Sequence, residues 1–135
     1  ATAMDWLQAQ NPASRECWIA GFSFGAWIGM QLMMRRPEIQ GFIAATPPAL
    51  THDFSFLAPC PASGLIVHGE EDEQVPPDAI YKLVERLSIQ KGVKIDIDLI
   101  PGANHFFTDH LDPMIERIST YLDKTFSEPN FDPLA

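Results

Sequence analysis

Glycine, serine and glycine stand at every second position in Gly21-Phe22-Ser23-Phe24-Gly25, between the short apolar run Cys17-Trp18-Ile19-Ala20 and a Met-rich apolar stretch from Ala26 to Arg36. A strand that turns straight into a helix through such a segment holds its serine in a strained backbone conformation. Side chains at the flanking positions would collide with neighbouring backbone, which is why glycine suits them. The hydroxyl is then presented above the sheet, beside the N–H groups and positive dipole end of the helix, where an oxyanion is stabilised. The five letters alone fit any glycine-rich turn with an idle serine. Their place between a predicted strand and a predicted helix carries the reading of a nucleophile.

A serine hydroxyl is a poor nucleophile at neutral pH and needs a base, which in turn needs an orienting acid. Of the four histidines, His68 ends an apolar run and is followed by Gly69, while His52 and His110 lie in polar segments. His105, in Pro101-Gly102-Ala103-Asn104-His105-Phe106-Phe107, follows the last strand-like run, so its loop can bring an imidazole over the serine. For the acid, Asp72 lies in Glu70-Glu71-Asp72-Glu73, just past the run that ends at His68. Spacing leaves Glu70, Glu71 and Glu73 open as competitors. A metal site needs several converging ligands, and the one close set, His105, Asp109 and His110, resembles no zinc-protease helix.

The elements that must position these residues alternate. A helix over 3–10 is stopped by Asn11-Pro12. Cys17 to Ala20 reads as a strand buried on both faces, and the helix from Ala26 ends at Arg36, before Pro37. Gly41 to Thr46, closed by Pro47-Pro48, and Leu65 to His68 read as two more buried strands. Ile80, Leu83, Val84 and Leu87 predict an amphipathic helix over 77–90 with Pro77 in its first turn. Lys94 to Ile100 alternates, with Ile95, Ile97 and Leu99 on one face, the pattern of a strand near a sheet edge. Ile115, Ile118, Leu122 and Phe126 predict a last helix, followed by a polar tail over 127–135. Strands alternating with helices make βαβ units, hence an α/β fold with a parallel sheet flanked by helices, whose chemistry sits at the carboxyl ends of the strands.

Composition narrows the partners. Eighteen acidic against nine basic side chains give a net charge of −9, which repels a phosphate backbone, so no nucleic acid is expected. No apolar stretch approaches the roughly 18 residues of a membrane span, and the first ten residues lack a signal-peptide layout. Cys17 and Cys60, at no metal-ligand spacing, fit two reduced thiols in a cytoplasmic protein.

These motifs resemble the α/β-hydrolase superfamily, in the small branch similar to dienelactone hydrolases and bacterial carboxylesterases. Gly21-Phe22-Ser23-Phe24-Gly25-Ala26 is similar to its nucleophile elbow, His68-Gly69 with Asp72 and Val75-Pro76 to its H-G-x-x-D-x-x-V-P segment, and Gly102 to Phe107 to its histidine loop. The resemblance implies Ser23 as nucleophile, Asp72 as acid and His105 as base, acting on an ester or thioester through an acyl-enzyme. It implies the Phe24 N–H as an oxyanion donor and no cofactor. Phe22, Phe24, Phe106 and Phe107 are expected to line an apolar acyl pocket, although aromatic residues beside such loops are more often core.

By the same resemblance the four strands correspond to the fifth through eighth of a sheet of about eight, and residues 1–126 to the C-terminal half of the fold. The first half would supply the second oxyanion donor, so the chain alone is expected to be a poor enzyme. The edge of the strand at 17–20 is then expected to be open, or covered by an N-terminal segment or by a second copy in a homo-oligomer. The segment from Pro47 to Gly64 is too short for a large cap domain. Two other readings remain at this point: an amide-cleaving peptidase on the same scaffold, and a binding module that keeps the motif without activity.

Overall fold

The computed structural model describes residues 2–12, 17–57, 60–89 and 92–127. Helix α1 (Thr2–Gln10) precedes strand β1 (Trp18–Phe22), which turns at Ser23 into α2 (Phe24–Arg35). Strand β2 (Gly41–Ala45), a single 3-10 turn at Ser55–Leu57, β3 (Ser63–Gly69), α3 (Pro77–Leu87), β4 (Ile95–Ile100) and α4 (Leu111–Ser127) follow. The four strands form one parallel sheet in the order β1-β2-β3-β4. Consecutive parallel neighbours need crossovers on one face, which is where α2, the 3-10 turn and α3 lie, while α4 covers the other.

Alternation along each strand sorts the core into two layers. Phe42, Ala44 and Ile66 point towards α2 and α3, where Met30, Met33, Ile80, Leu83 and Leu87 meet them. Ile43, Ala45, Leu65 and Val67 point the other way, onto Ile100, Phe107 and the Met114, Ile118, Tyr121 and Leu122 face of α4. β4 shows the expected split: Ile97 packs on the first layer, while Asp98 accepts a hydrogen bond from Arg117 of α4 at 3.0 Å.

Several boundaries differ from the sequence reading. α3 ends at Leu87 because its apolar periodicity stops there, and Ile89 is 76% exposed. β1 is less buried than its apolar letters imply: Trp18 and Ile19 are half-buried and Ala20 is exposed. The reason is position, since among the described residues β1 pairs with β2 alone and forms one end of the sheet. Trp18 lies flat across Gly41, where a Cβ would come within 2.5 Å of the indole, and meets Tyr121 and Phe126 of α4 edge-on. Beyond Ser127 the C-terminal tail lies outside the described residues. No helix among them is long and apolar enough to cross a membrane.

Candidate active site

Three side chains from three strand ends converge. Ser23 follows β1 with φ 53° and ψ −120°, a left-handed conformation that costs a non-glycine residue about 1–3 kcal/mol. The turn is held by the Ser23 N–H donating to the Ala45 carbonyl at 2.8 Å and by the Ser23 carbonyl accepting from the Ala26 N–H at 2.9 Å. A Cβ at Gly21 would come within 2.5 Å of the Gly25 carbonyl oxygen and 2.7 Å of the Ala26 Cα, so glycine is obligatory there. The expectation fails at the other flank: a Cβ on Gly25 would meet nothing within 4 Å among the described residues. Gly25 is already the second residue of α2, past the point where the chain folds back on β1.

His105 is buried in the loop after β4. The Asn104 side chain shapes that loop by accepting from the Phe106 and Thr108 N–H groups at 3.1 and 3.0 Å. Nε2 of His105 lies 3.0 Å from the Ser23 hydroxyl and Nδ1 lies 2.7 Å from Oδ2 of Asp72. Asp72 accepts at Oδ1 from the Gln74 and Val75 N–H groups, both at 2.8 Å. With the carboxylate accepting at Nδ1, the ring proton sits on that nitrogen, and Nε2 presents a lone pair to the hydroxyl. Glu70, Glu71 and Glu73 are all exposed, so Asp72 is the one acid of the turn that reaches a histidine. The Phe24 N–H is the first of α2 and has no acceptor one turn earlier in the helix, which leaves it able to bind an anion beside Ser23.

The aromatic residues divide. Phe22 and Phe106 are 41% and 58% exposed and flank His105, with ring centroids 5.9 and 5.0 Å from the imidazole. Phe107 departs from the expectation in its burial: its ring centroid lies 6.4 Å from that of Phe22, but it is fully buried and packs with Ile43, Leu65 and Ile100, anchoring the histidine loop to the core. Phe24, Trp27 and His52 form a second aromatic group, tied down by the Trp27 indole N–H donating to the Asp53 carbonyl at 2.9 Å. That group was not legible from the sequence, because it depends on how the 47–57 segment folds back over α2. A cleft of about 630 Å³ opens elsewhere, between α1 and the start of β1, and none of Ser23, Asp72 or His105 lines it.

His105, Asp109 and His110 do not converge, and among the described residues no three His, Cys, Asp or Glu side chains form a metal-binding group. Both cysteines are free, and burial pushes the Cys60 thiol pKa up. Gly69, at the end of β3, sits directly beneath the histidine loop: a Cβ there would come within 2.5 and 2.6 Å of the Ala103 and Asn104 carbonyl oxygens. Gly69→Ala should therefore displace His105 and cost about 1–3 kcal/mol of stability. A thermal melt together with a turnover assay checks it, the rate falling further than the loss of folded protein explains.

Comparison with known proteins bears on the family and the fold. A model of the dienelactone hydrolase family matches residues 1–125. An uncharacterised protein of Rickettsia prowazekii is 51% identical over 124 residues, which cover 89% of this chain and 52% of that protein. A crystal structure from Agrobacterium tumefaciens, of a protein of unknown function described as a candidate α/β hydrolase, superposes with a TM-score of 0.87 at 53% identity, covering 90% of this chain and 56% of that one. An α/β serine hydrolase without a lid from Xanthomonas campestris gives 0.77 at 29% identity, covering 95% and 55%. The chain thus spans about half the length of the relatives it matches.

Proposed function

The chain belongs to the dienelactone hydrolase family, and from that premise we propose that it carries the catalytic side chains of a serine hydrolase that cleaves a carboxylic ester or thioester through an acyl-enzyme. The observation that carries the reading is the continuous relay from the Ser23 hydroxyl through His105 to Asp72, at 3.0 and 2.7 Å. Similarity to the lidless Xanthomonas serine hydrolase supports it.

Ser23 attacks the carbonyl carbon while His105 Nε2 takes the hydroxyl proton, giving a tetrahedral oxyanion beside the Phe24 N–H. His105 then returns that proton to the departing alcohol or thiol, leaving the acyl group on Ser23. Water, deprotonated by the same nitrogen, attacks in turn and releases the acid. Throughout, Asp72 holds the imidazole and stabilises its charged form. A second oxyanion donor would come from the half of the family fold that the chain does not span, and a single donor is worth on the order of 10² to 10³ in rate. The exposed rings of Phe22, Phe24 and Phe106, next to Ser23 and His105 in sequence, favour an apolar acyl or alcohol group.

Parallel assays with an aryl ester, an aryl thioester and an aryl amide test the reaction class. Turnover of the first two with the amide untouched is expected. Cleavage of the amide at a comparable rate would make the protein a peptidase-type amidase, and no turnover of any by a protein carrying both halves of the family fold would leave the relay without this function.

A further inference from the structure

His68 ends β3 in an otherwise apolar strand and is wholly buried. Its Nε2 lies 2.7 Å from the Val75 carbonyl oxygen, which can only accept, so this nitrogen carries the ring proton and donates it. Nδ1 is buried with no hydrogen-bond partner among the described residues. A second proton there would place a charged ring with an unpaired N–H away from water, and burial accordingly pushes the His68 pKa below its ordinary value of 6.5. The ionisable groups facing it are Asp72, whose Oδ2 is 3.6 Å from Nε2 and favours the charged form, and His105, which opposes it. The ring is a neutral donor fixed in one tautomer.

Val75 is what that donor holds. The Val75 carbonyl accepts from His68 while the Val75 N–H donates to Oδ1 of Asp72, so one residue joins the strand end to the carboxylate. The turn between them needs tethers. Glu70, Glu71, Glu73 and Gln74 are exposed, three of them are like charges, and the two N–H groups on Asp72 belong to the turn itself and move with it. Non-local bonds fix its start, from the Glu70 N–H to the Ile100 carbonyl and from the Glu71 N–H to the Ala103 carbonyl. The bond from His68 fixes its end.

We propose that His68 is a positioning residue for the Asp72 carboxylate: it pins Val75 so that Oδ2 is held against the His105 Nδ1–H. This rests on the reading of Ser23, His105 and Asp72 as catalytic. It gives His68 a part that base and acid assignments leave out, and an apolar residue of the same volume would not supply it.

The test uses His68→Leu, which removes the donor, and His68→Gln, whose amide reaches towards the same carbonyl. Two readouts are taken on folded protein: kcat and KM for an aryl ester, and the downfield proton resonance that the short His105 Nδ1–H bond to Asp72 produces. His68→Leu should lower kcat on the order of 10²-fold with KM unchanged, the scale of a misplaced catalytic group. The resonance should move upfield or vanish, and His68→Gln should restore most of both. Unchanged kcat and an unchanged resonance in folded His68→Leu would overturn the proposal. Should His68→Leu not fold, His68→Asn, whose amide falls short of Val75, replaces it. In the native protein the His68 ring should carry its proton on Nε2 and take up a second only below its ordinary value of 6.5; a neutral ring with its proton on Nδ1 would also overturn it. The resonance needs no turnover, so it reads the link between His68 and Asp72 even if the protein proves inactive on esters.

Discussion

In a protein carrying both halves of the family fold, Ser23→Ala should lower kcat for an aryl ester by on the order of 10⁶-fold, the scale on which removing the serine disables a relay that works as a unit. The side chain makes one hydrogen bond, to His105 Nε2 at 3.0 Å, and is not packed in either core layer. Its loss opens little cavity, so stability should change by no more than about 0.5 kcal/mol. Ser23→Gly should be equally inactive yet more stable, by about 1 kcal/mol, because glycine adopts φ 53° without strain and that gain exceeds its larger unfolded-state entropy. Melting temperatures in the order Gly above Ala, with neither variant turning over, are the expected pair of results. An active Ser23→Ala would remove the nucleophile from the account.

Asp72→Asn should cost about 10⁴-fold in kcat through the wrong imidazole tautomer. Its Oδ1 already accepts from the Gln74 and Val75 N–H groups at 2.8 Å. In asparagine the oxygen must keep those bonds, which turns the amide NH₂ towards His105 Nδ1. That nitrogen then becomes the acceptor, the ring proton moves to Nε2, and the lone pair facing Ser23 is lost. Glu70→Gln, Glu71→Gln and Glu73→Gln should leave kcat within about threefold, since these side chains are exposed and the field of a solvated charge is screened within about a Debye length. Kinetics on the four variants at one pH separate the assignments. A dead Glu71→Gln beside an active Asp72→Asn would reassign the acid.

Strand and helix order was legible because the signals were local: apolar runs of strand length, the amphipathic spacing of Ile80, Leu83, Val84 and Leu87, and prolines at element ends. Each chemistry-bearing residue could be placed just beyond a strand, where parallel sheets gather their sites. Choosing Asp72 from a run of four acids needed the family resemblance, because burial depends on how the turn is tethered to Ile100 and Ala103, far away in sequence. Phe107 misled for the same reason. Three phenylalanines near Ser23 and His105 look alike as letters, but only Phe107 takes φ 55°, which turns its ring into the layer beneath α4. His68 carried a readable signal, a lone titratable group closing an apolar strand, yet its partner Val75 lies across a turn whose path the sequence does not specify. The exposure of β1 is likewise a property of sheet order, which local letters do not encode.

If Ser23 is an activated nucleophile, a covalent serine probe should find it. A fluorophosphonate reacts only with a serine whose proton is being withdrawn, and peptide mapping by mass spectrometry then locates the adduct. One adduct is expected, on the peptide carrying Gly21-Phe22-Ser23-Phe24-Gly25, absent from Ser23→Ala and much slower to form in Asp72→Asn. A native, folded protein that takes up no label, or takes it up on a different residue, would contradict it.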